Sequence, residues 1–319
     1  MSVVITKRHE SIEVVQWVTL LYGQPGIGKT STAFTCHNPL LLDFDEGAHR
    51  SEFRKDVVTI RSWADVAGIT EDDLRPYATL VVDTVGRLLD HLALDIIKRN
   101  GKMGTMAGGL TLQGYGALKS QFGQWIKATR SMGVNVLLLA HEKEDRQGDE
   151  VKIRPDIQGS SSGEVFKIAD QVGYIHANNN NLRVIDFEPS DHWLGKNTGG
   201  FKTLLIPNFH SEPQFFAETM QQLLDQMNSS SKVAKEFADV ADAHRDEILS
   251  LDSAEALSLK VRAVAEMEDG PLKVIMKNFV SKKAKALNLK WDIEIGAFAP
   301  VPETAEEAET TNEEETNDV

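Results

Sequence analysis

One stretch limits the possible folds more than any other. Gly23, Gln24, Pro25, Gly26, Ile27, Gly28, Lys29 and Thr30 match G-x-x-x-x-G-K-[ST] at every fixed position. Residues 18–22, just before it, form an apolar run of strand formers and read as a buried strand. Residues 30–37, just after it, contain no Gly or Pro and predict a helix. Strand, glycine-rich turn and helix, in that order, is the setting in which such a pattern cradles phosphate. Glycines let the backbone wrap an anion with its N–H groups turned inward at a helix start. The Lys29 ammonium suits β- and γ-phosphates, and the Thr30 hydroxyl suits a Mg²⁺ coordination position. Ser31 extends the run that faces the nucleotide. The bland alternative is an ordinary glycine turn that carries these residues by coincidence. ATP and Mg²⁺ are the expected ligands.

The remaining apolar runs predict an α/β fold. Residues 39–44 read as a second buried strand, followed by the carboxylates Asp43, Asp45 and Glu46 and then Gly47. Residues 56–60 predict a third strand and residues 71–76 a polar connection. Residues 78–84 predict a fourth strand, and its Asp83 stands 54 positions after Lys29. An apolar strand closing on Asp complements a phosphate loop, because the carboxylate supports Mg²⁺ directly or through water. Residues 134–140 predict a fifth strand, leading into His141. Helical spacing marks residues 86–99 and 115–132. The glycine-rich residues 100–109 between them are long for a connection, which predicts mobility. Residues 142–157 alternate in charge around a Gln-Gly-Asp turn and predict a protruding hairpin. A short helix is expected over 164–169. Two antiparallel edge strands are expected over 171–177 and 182–187, with a polar loop over 194–200. The class predicted is a P-loop core with a mostly parallel central sheet flanked by helices.

Composition narrows the setting. No apolar run reaches the ~18 residues of a membrane span, and the N-terminus lacks a secretory pattern. The single cysteine, Cys36, excludes an internal disulfide and suits a reducing cytoplasm. The net charge of −14 argues against a polyanionic partner, but eight acids fall between Glu303 and the end, leaving only −6 for the rest. From Phe216 the strand signals stop. Phe216, Met220, Leu223, Leu224 and Met227 form a helical stripe, and Ser229, Ser230 and Ser231 read as a linker. Residues 233–292 predict two or three helices, the last rich in lysine. The expected organisation is an arm (1–13), a core (14–228), a helical region (229–299) and a disordered acidic tail (300–319). The tail suits occupation of a basic surface on its own chain, contact with a partner, or simple solubility.

A phosphate loop that hydrolyses needs a carboxylate to activate water. The position directly after Asp83 is Thr84, which cannot act as a base. The other common place is the end of a strand adjacent to the phosphate loop, where Asp45 and Glu46 are expected. Either can orient water, or both can merely cap a turn.

The runs Leu42-Asp43-Phe44-Asp45-Glu46-Gly47-Ala48-His49, Val81-Val82-Asp83-Thr84-Val85 and Leu137-Leu138-Leu139-Ala140-His141 resemble the RecA core. With the Gly195-Lys196-Asn197 loop, they are most similar to bacteriophage ATP-binding proteins of the RecA-core single-strand annealing group, over about residues 14 to 210. The resemblance implies ATP hydrolysis by a homo-oligomeric ring or filament that binds single-stranded DNA and promotes annealing or strand exchange. It implies that His141 stands where the family senses the γ-phosphate with Gln. Lys196 would reach a neighbouring subunit's nucleotide, or is only a solvated loop lysine. Residues 100–109 and 142–163 resemble the family's two DNA loops. Lys98, Arg99 and Lys102 flank the first, and Lys143, Arg146, Lys152 and Arg154 occupy the second; the acidic tail would compete with DNA for these loops or contact a partner such as a single-strand binding protein. Neither loop offers an aromatic ring for stacking, so binding would be mainly electrostatic, with Met103 and Met106 as possible wedges. Competing readings are a helicase or helicase accessory, an annealing module that binds ATP without hydrolysis, and a small-molecule kinase, for which no Arg-rich lid is visible.

Overall fold

A computed structural model describes residues 6, 10, 12–147, 150–159 and 161–301. The chain divides into two compact units, Glu13–Ser230 and Met1–Ile12 with Ser231–Val319. In the larger unit, β1 (Val18–Gly23) leads through the glycine turn into α1 (Lys29–Ala33). β2 (Pro39–Asp43), β3 (Asp56–Thr59), α2 (Trp63–Ala67), α3 (Glu71–Leu74), β4 (Thr79–Asp83) and α4 (Val85–Arg99) follow. α5 (Leu112–Ser131) returns to β5 (Asn135–Gln147), which pairs with β6 (Glu150–Pro155). α6 (Ser161–Ile168), β7 (Gln171–Ala177), β8 (Arg183–Asp186), β9 (Lys196–Asn197), β10 (Leu204–Leu205) and the first part of α7 (Phe215–Ser250) complete it.

The sheet runs β10-β8-β7-β1-β5-β4-β2-β3. From β7 to β3 every pairing is parallel, and β8, β9 and β10 add antiparallel pairs at one side. Strict alternation sends successive side chains to opposite faces. The row Leu20, Leu138, Val82 and Leu42 packs under α4, α5 and α6. The neighbouring row Leu137, Val81 and Leu41 packs with Ala33, Phe34 and the Phe216, Met220 and Leu223 stripe of α7. Both faces are covered, so the strands read as continuous apolar runs. Each such side chain contributes about 1.5–3 kcal/mol on burial.

Four sequence expectations are corrected here. β2 borders β4 and not the phosphate-loop strand; β5 and β4 stand between β1 and β2. The helix after the loop is only five residues, Lys29–Ala33. Thr32 and Thr35 hydroxyls bond the Gly28 and Thr32 carbonyls, which competes with helix propagation. Cys36 therefore lies past the helix, buried. Residues 71–76 contain α3, nucleated by a capping box between Thr70 and Asp73. Residues 100–109 are tied down: Gly104 bridges to Leu110, Thr105 N–H donates to the Gly109 carbonyl, and Met103 packs on the core. The hairpin over 142–155 and the antiparallel β7–β8 pair form as the alternation and turn residues predict.

In the smaller unit, the rest of α7, α8 (Ala254–Glu266) and α9 (Pro271–Ala286) bury Ile248, Leu257, Val264, Met276, Val280 and Ala284 together. Ser253 caps α8 and Pro271 opens α9. A hairpin of β11 (Leu289–Asp292) and β12 (Ala297–Pro300) follows, turning at Gly296 with φ 61°. The lysine-rich helix is α9, with Lys273, Lys277, Lys282, Lys283 and Lys285; Lys290 falls on β11. The hairpin breaks the expectation that strands end before Phe216. The serine run read as a linker is helical, and the two compact units divide within it, after Ser230: α7 continues through it, because residues 215–250 hold neither Gly nor Pro and serine only mildly disfavours helix. The acidic tail beyond Val301 lies outside the described residues.

Candidate nucleotide site

The C-terminal ends of β1, β2 and β4, and β5 at His141, converge on the glycine turn. Gly26 and Gly28 sit at φ 79° and 107°, the left-handed region that a side chain would strain. Gly23 is fixed by packing: a Cβ there would stand 2.3 Å from the Ile175 carbonyl oxygen of β7. Lys29 is buried, 5% exposed, and its Nζ donates to the Gly23 and Gln24 carbonyls at 2.9 and 2.8 Å. Burial pulls its pKa down, opposed by the carboxylates of Asp83, Glu142 and Asp45. The Thr30 hydroxyl donates to Asp83 Oδ2 at 2.6 Å. Ser31 Oγ lies 3.2 Å from Ser51 Oγ, on the segment after β2.

The three carboxylates after β2 separate into different environments. Asp43 is a turn cap: it accepts the Gly47 and Ala48 N–H groups at 3.0 and 2.9 Å. Glu46 is exposed at φ 50° and lines a cavity with Arg54, Lys55 and Arg61. Asp45 alone faces the loop lysine. Its Oδ2 is 3.8 Å from His141 Nε2 and accepts from the Thr84 hydroxyl at 3.4 Å. Its Oδ1 is 3.2 Å from Arg87 Nε. The His141 ring holds the Asp45 carboxyl below the usual range, helped by Arg87 and opposed by partial burial. At 3.8 Å the His141 contact is an ion-pair distance and not a hydrogen bond. His141 stands beside Gly23 in register, with Nδ1 3.5 Å from Lys29 Nζ, so its ring bridges the lysine and Asp45. Arg87, on α4, was invisible to motif reading because its partner is 42 positions away.

Asp83 is 9% exposed, and burial raises its pKa against the opposing Thr30 hydrogen bond and Lys29 charge. The Thr30 hydroxyl and the Asp83 carboxylate are hard oxygen donors side by side. That fits Mg²⁺, which takes one or two protein oxygens and completes its shell with phosphate and water.

A cavity of about 670 Å³ is lined by Glu52, Phe53, Asn208, Phe209 and His210 among others. Phe53 packs edge-on against Phe209 and His210, and His210 pairs with Glu52 at 3.2 Å. Arg183 of β8 also lines it, and its Nη1 lies 3.5 Å from the Ile27 carbonyl.

The basic residues expected on the two loops are not gathered into one free patch. Arg99 pairs with Asp95 at 2.7 Å, Lys143 with Asp156 at 3.2 Å, Arg146 with Glu144 at 2.8 Å and Arg154 with Asp145 at 2.9 Å. Lys98 and Lys102 are exposed, and Lys152 is half-buried. Met103 is packed, while Met106 is fully exposed. The Lys196 ammonium donates to the Ala169 carbonyl of its own chain at 2.5 Å. Reaching a neighbour's nucleotide would require breaking that bond.

A phosphate loop ending a central strand, with Asp83 two strands away, defines a P-loop nucleotide-binding core. The chain belongs to the AAA domain family, whose family model matches residues 16–198. No curated protein matches it. Among the described residues, no helix is long and apolar enough to cross a membrane.

Proposed function

We propose that this chain binds ATP with Mg²⁺ and hydrolyses the γ-phosphate, with Asp45 orienting the attacking water. The observation that carries this reading is the convergence of Lys29, Thr30, Asp83 and Asp45 at one end of the sheet, with only Asp45 of the β2 carboxylates turned toward the lysine. Bound Mg²⁺ would supply charge neutralisation of the phosphates, held by Thr30 and Asp83. Lys29 exchanges the Gly23 and Gln24 carbonyls for phosphate oxygens. Asp45 stays ionised at neutral pH, so it is a weak proton acceptor. It acts by positioning and polarising water more than by abstracting a proton. His141, between Lys29 and Asp45, carries the γ-phosphate contact across to the carboxylate. The cavity that Arg183 lines, of a size usual for ligand sites, takes the nucleoside.

Phosphate release by wild type, Lys29→Ala, Asp45→Asn and Glu46→Gln tests this. Lys29→Ala should lose nucleotide binding. Asp45→Asn should keep binding and lose about 100-fold or more in rate. Glu46→Gln should stay near wild type. Wild-type turnover in Asp45→Asn would move the role elsewhere.

The finer reading is a recombination ATPase that binds single-stranded DNA and works as a homo-oligomer. The resemblance to the RecA core supports it. One structural observation also favours it: the β5–β6 hairpin grows directly from the strand that carries His141. The ion pairs along that hairpin imply weak, salt-sensitive contact with a phosphate backbone. The ATPase rate against single-stranded DNA, duplex DNA and RNA is the discriminating measurement. An unchanged rate with all three would remove nucleic acid from the account.

A further inference from the structure

Arg183 is out of place as a structural residue. It sits on β8, between β7 and the short β10, exposed, and its guanidinium has no carboxylate within ion-pair distance among the described residues. Its one polar contact is long, 3.5 Å from Nη1 to the Ile27 carbonyl. Yet Nη1 lies so close to the glycine turn that a Cβ on Gly28 would be 2.5 Å from it. The same side chain lines the cavity formed by Glu52, Phe53 and the segment 205–210. The other basic side chain on that cavity wall, His210, lies 3.2 Å from Glu52. Arg183 is thus an uncompensated positive charge where the phosphate loop and the cavity meet. A guanidinium in that position is suited to bind phosphate oxygens in bidentate fashion.

We propose that Arg183 is a nucleotide-binding residue, whose guanidinium leaves the Ile27 carbonyl and grips the phosphate that joins the ribose to the rest of the phosphate chain. This rests on the reading of the loop as an ATP site. It adds that a cation from the antiparallel side of the sheet, in the same chain, distinguishes a nucleotide from a bare phosphate ligand. Lys29 serves the distal phosphates. Arg183 serves the proximal one and so ties the cavity to the loop.

The experiment is equilibrium binding of ATP, ADP and inorganic pyrophosphate to wild type, Lys29→Ala, Arg183→Ala and Arg183→Lys. Lys29→Ala should lose all three ligands. Arg183→Ala should weaken ATP and ADP by about ten-fold or more, the scale of a lost charge-assisted hydrogen bond. It should leave pyrophosphate, which needs only the loop and Lys29, unchanged. Arg183→Lys should recover part of the loss. ATP affinity equal to wild type in Arg183→Ala overturns the proposal. So does an equal loss for pyrophosphate, which would mean that Arg183 only shapes the turn through Ile27. Failure of the wild type to bind either ATP or pyrophosphate would instead overturn the phosphate-loop reading itself.

Discussion

Asp83 is kept in the fold against its own ionisation. Burial raises its pKa above the unfolded value, which for Asp is about 3.9. Between those two values the folded chain binds a proton that the unfolded chain lacks. Stability therefore falls as pH rises through that window, and the full cost is present above it. Asp83→Asn removes the charge and keeps an oxygen that can accept from Thr30. Thermal unfolding of the nucleotide-free protein at neutral pH should show the variant as more stable than wild type, with the gap closing below pH ~4. Its phosphate release should fall by about 10–100-fold, the usual scale for disturbing a metal's supporting groups. A variant less stable at neutral pH would refute the burial argument. At this scale the sequence shows whatever is local: Gly23 to Thr30 form a contiguous pattern, and Asp83 closes an apolar run. It cannot show Arg183, whose contact with Ile27 spans 156 positions, nor choose between Asp45 and Glu46. Their surroundings differ through contacts distant in sequence: Asp45 lies beside His141 and Arg87, and Glu46 lines a cavity with Arg54, Lys55 and Arg61.

Among elements, β7 shows how closely strands and turns share space. A Cβ on Gly173 would meet Phe187, Ile185 and Leu21 side chains at 2.7 to 2.8 Å. Gly173→Ala should therefore overpack the β1–β7–β8 junction and cost about 1–3 kcal/mol, read as a shift in denaturant midpoint. A neutral result would mean that these side chains move aside freely. Thr70→Ala should cost about 1 kcal/mol by removing the cap of α3, and amide exchange over residues 71–74 should rise. Strand existence was legible because two covered faces demand unbroken apolar runs. Strand order was not. Residues 39–44 follow the loop in sequence, yet β2 settles beyond β4, because both faces of β2 are equally apolar and local pattern carries no address. The β11–β12 hairpin escaped because each strand has only four residues, with apolar side chains that also suit a helix end.

Across the whole molecule, the two units keep separate cores. Met276→Ala should destabilise the smaller unit by about 2–5 kcal/mol. Hydrogen exchange should quicken over residues 254–300, and ATP affinity should not change. An altered ATP affinity would show that the units share their energetics. In the larger unit, β5 is a single strand of thirteen residues: its first half is clamped between β1 and β4, and its second half is one arm of the hairpin. His141 sits where clamp gives way to arm. The strand runs six residues further, to Gln147, a reach of about 20 Å. Whatever meets the far end of the hairpin is therefore joined to the histidine by one continuous strand.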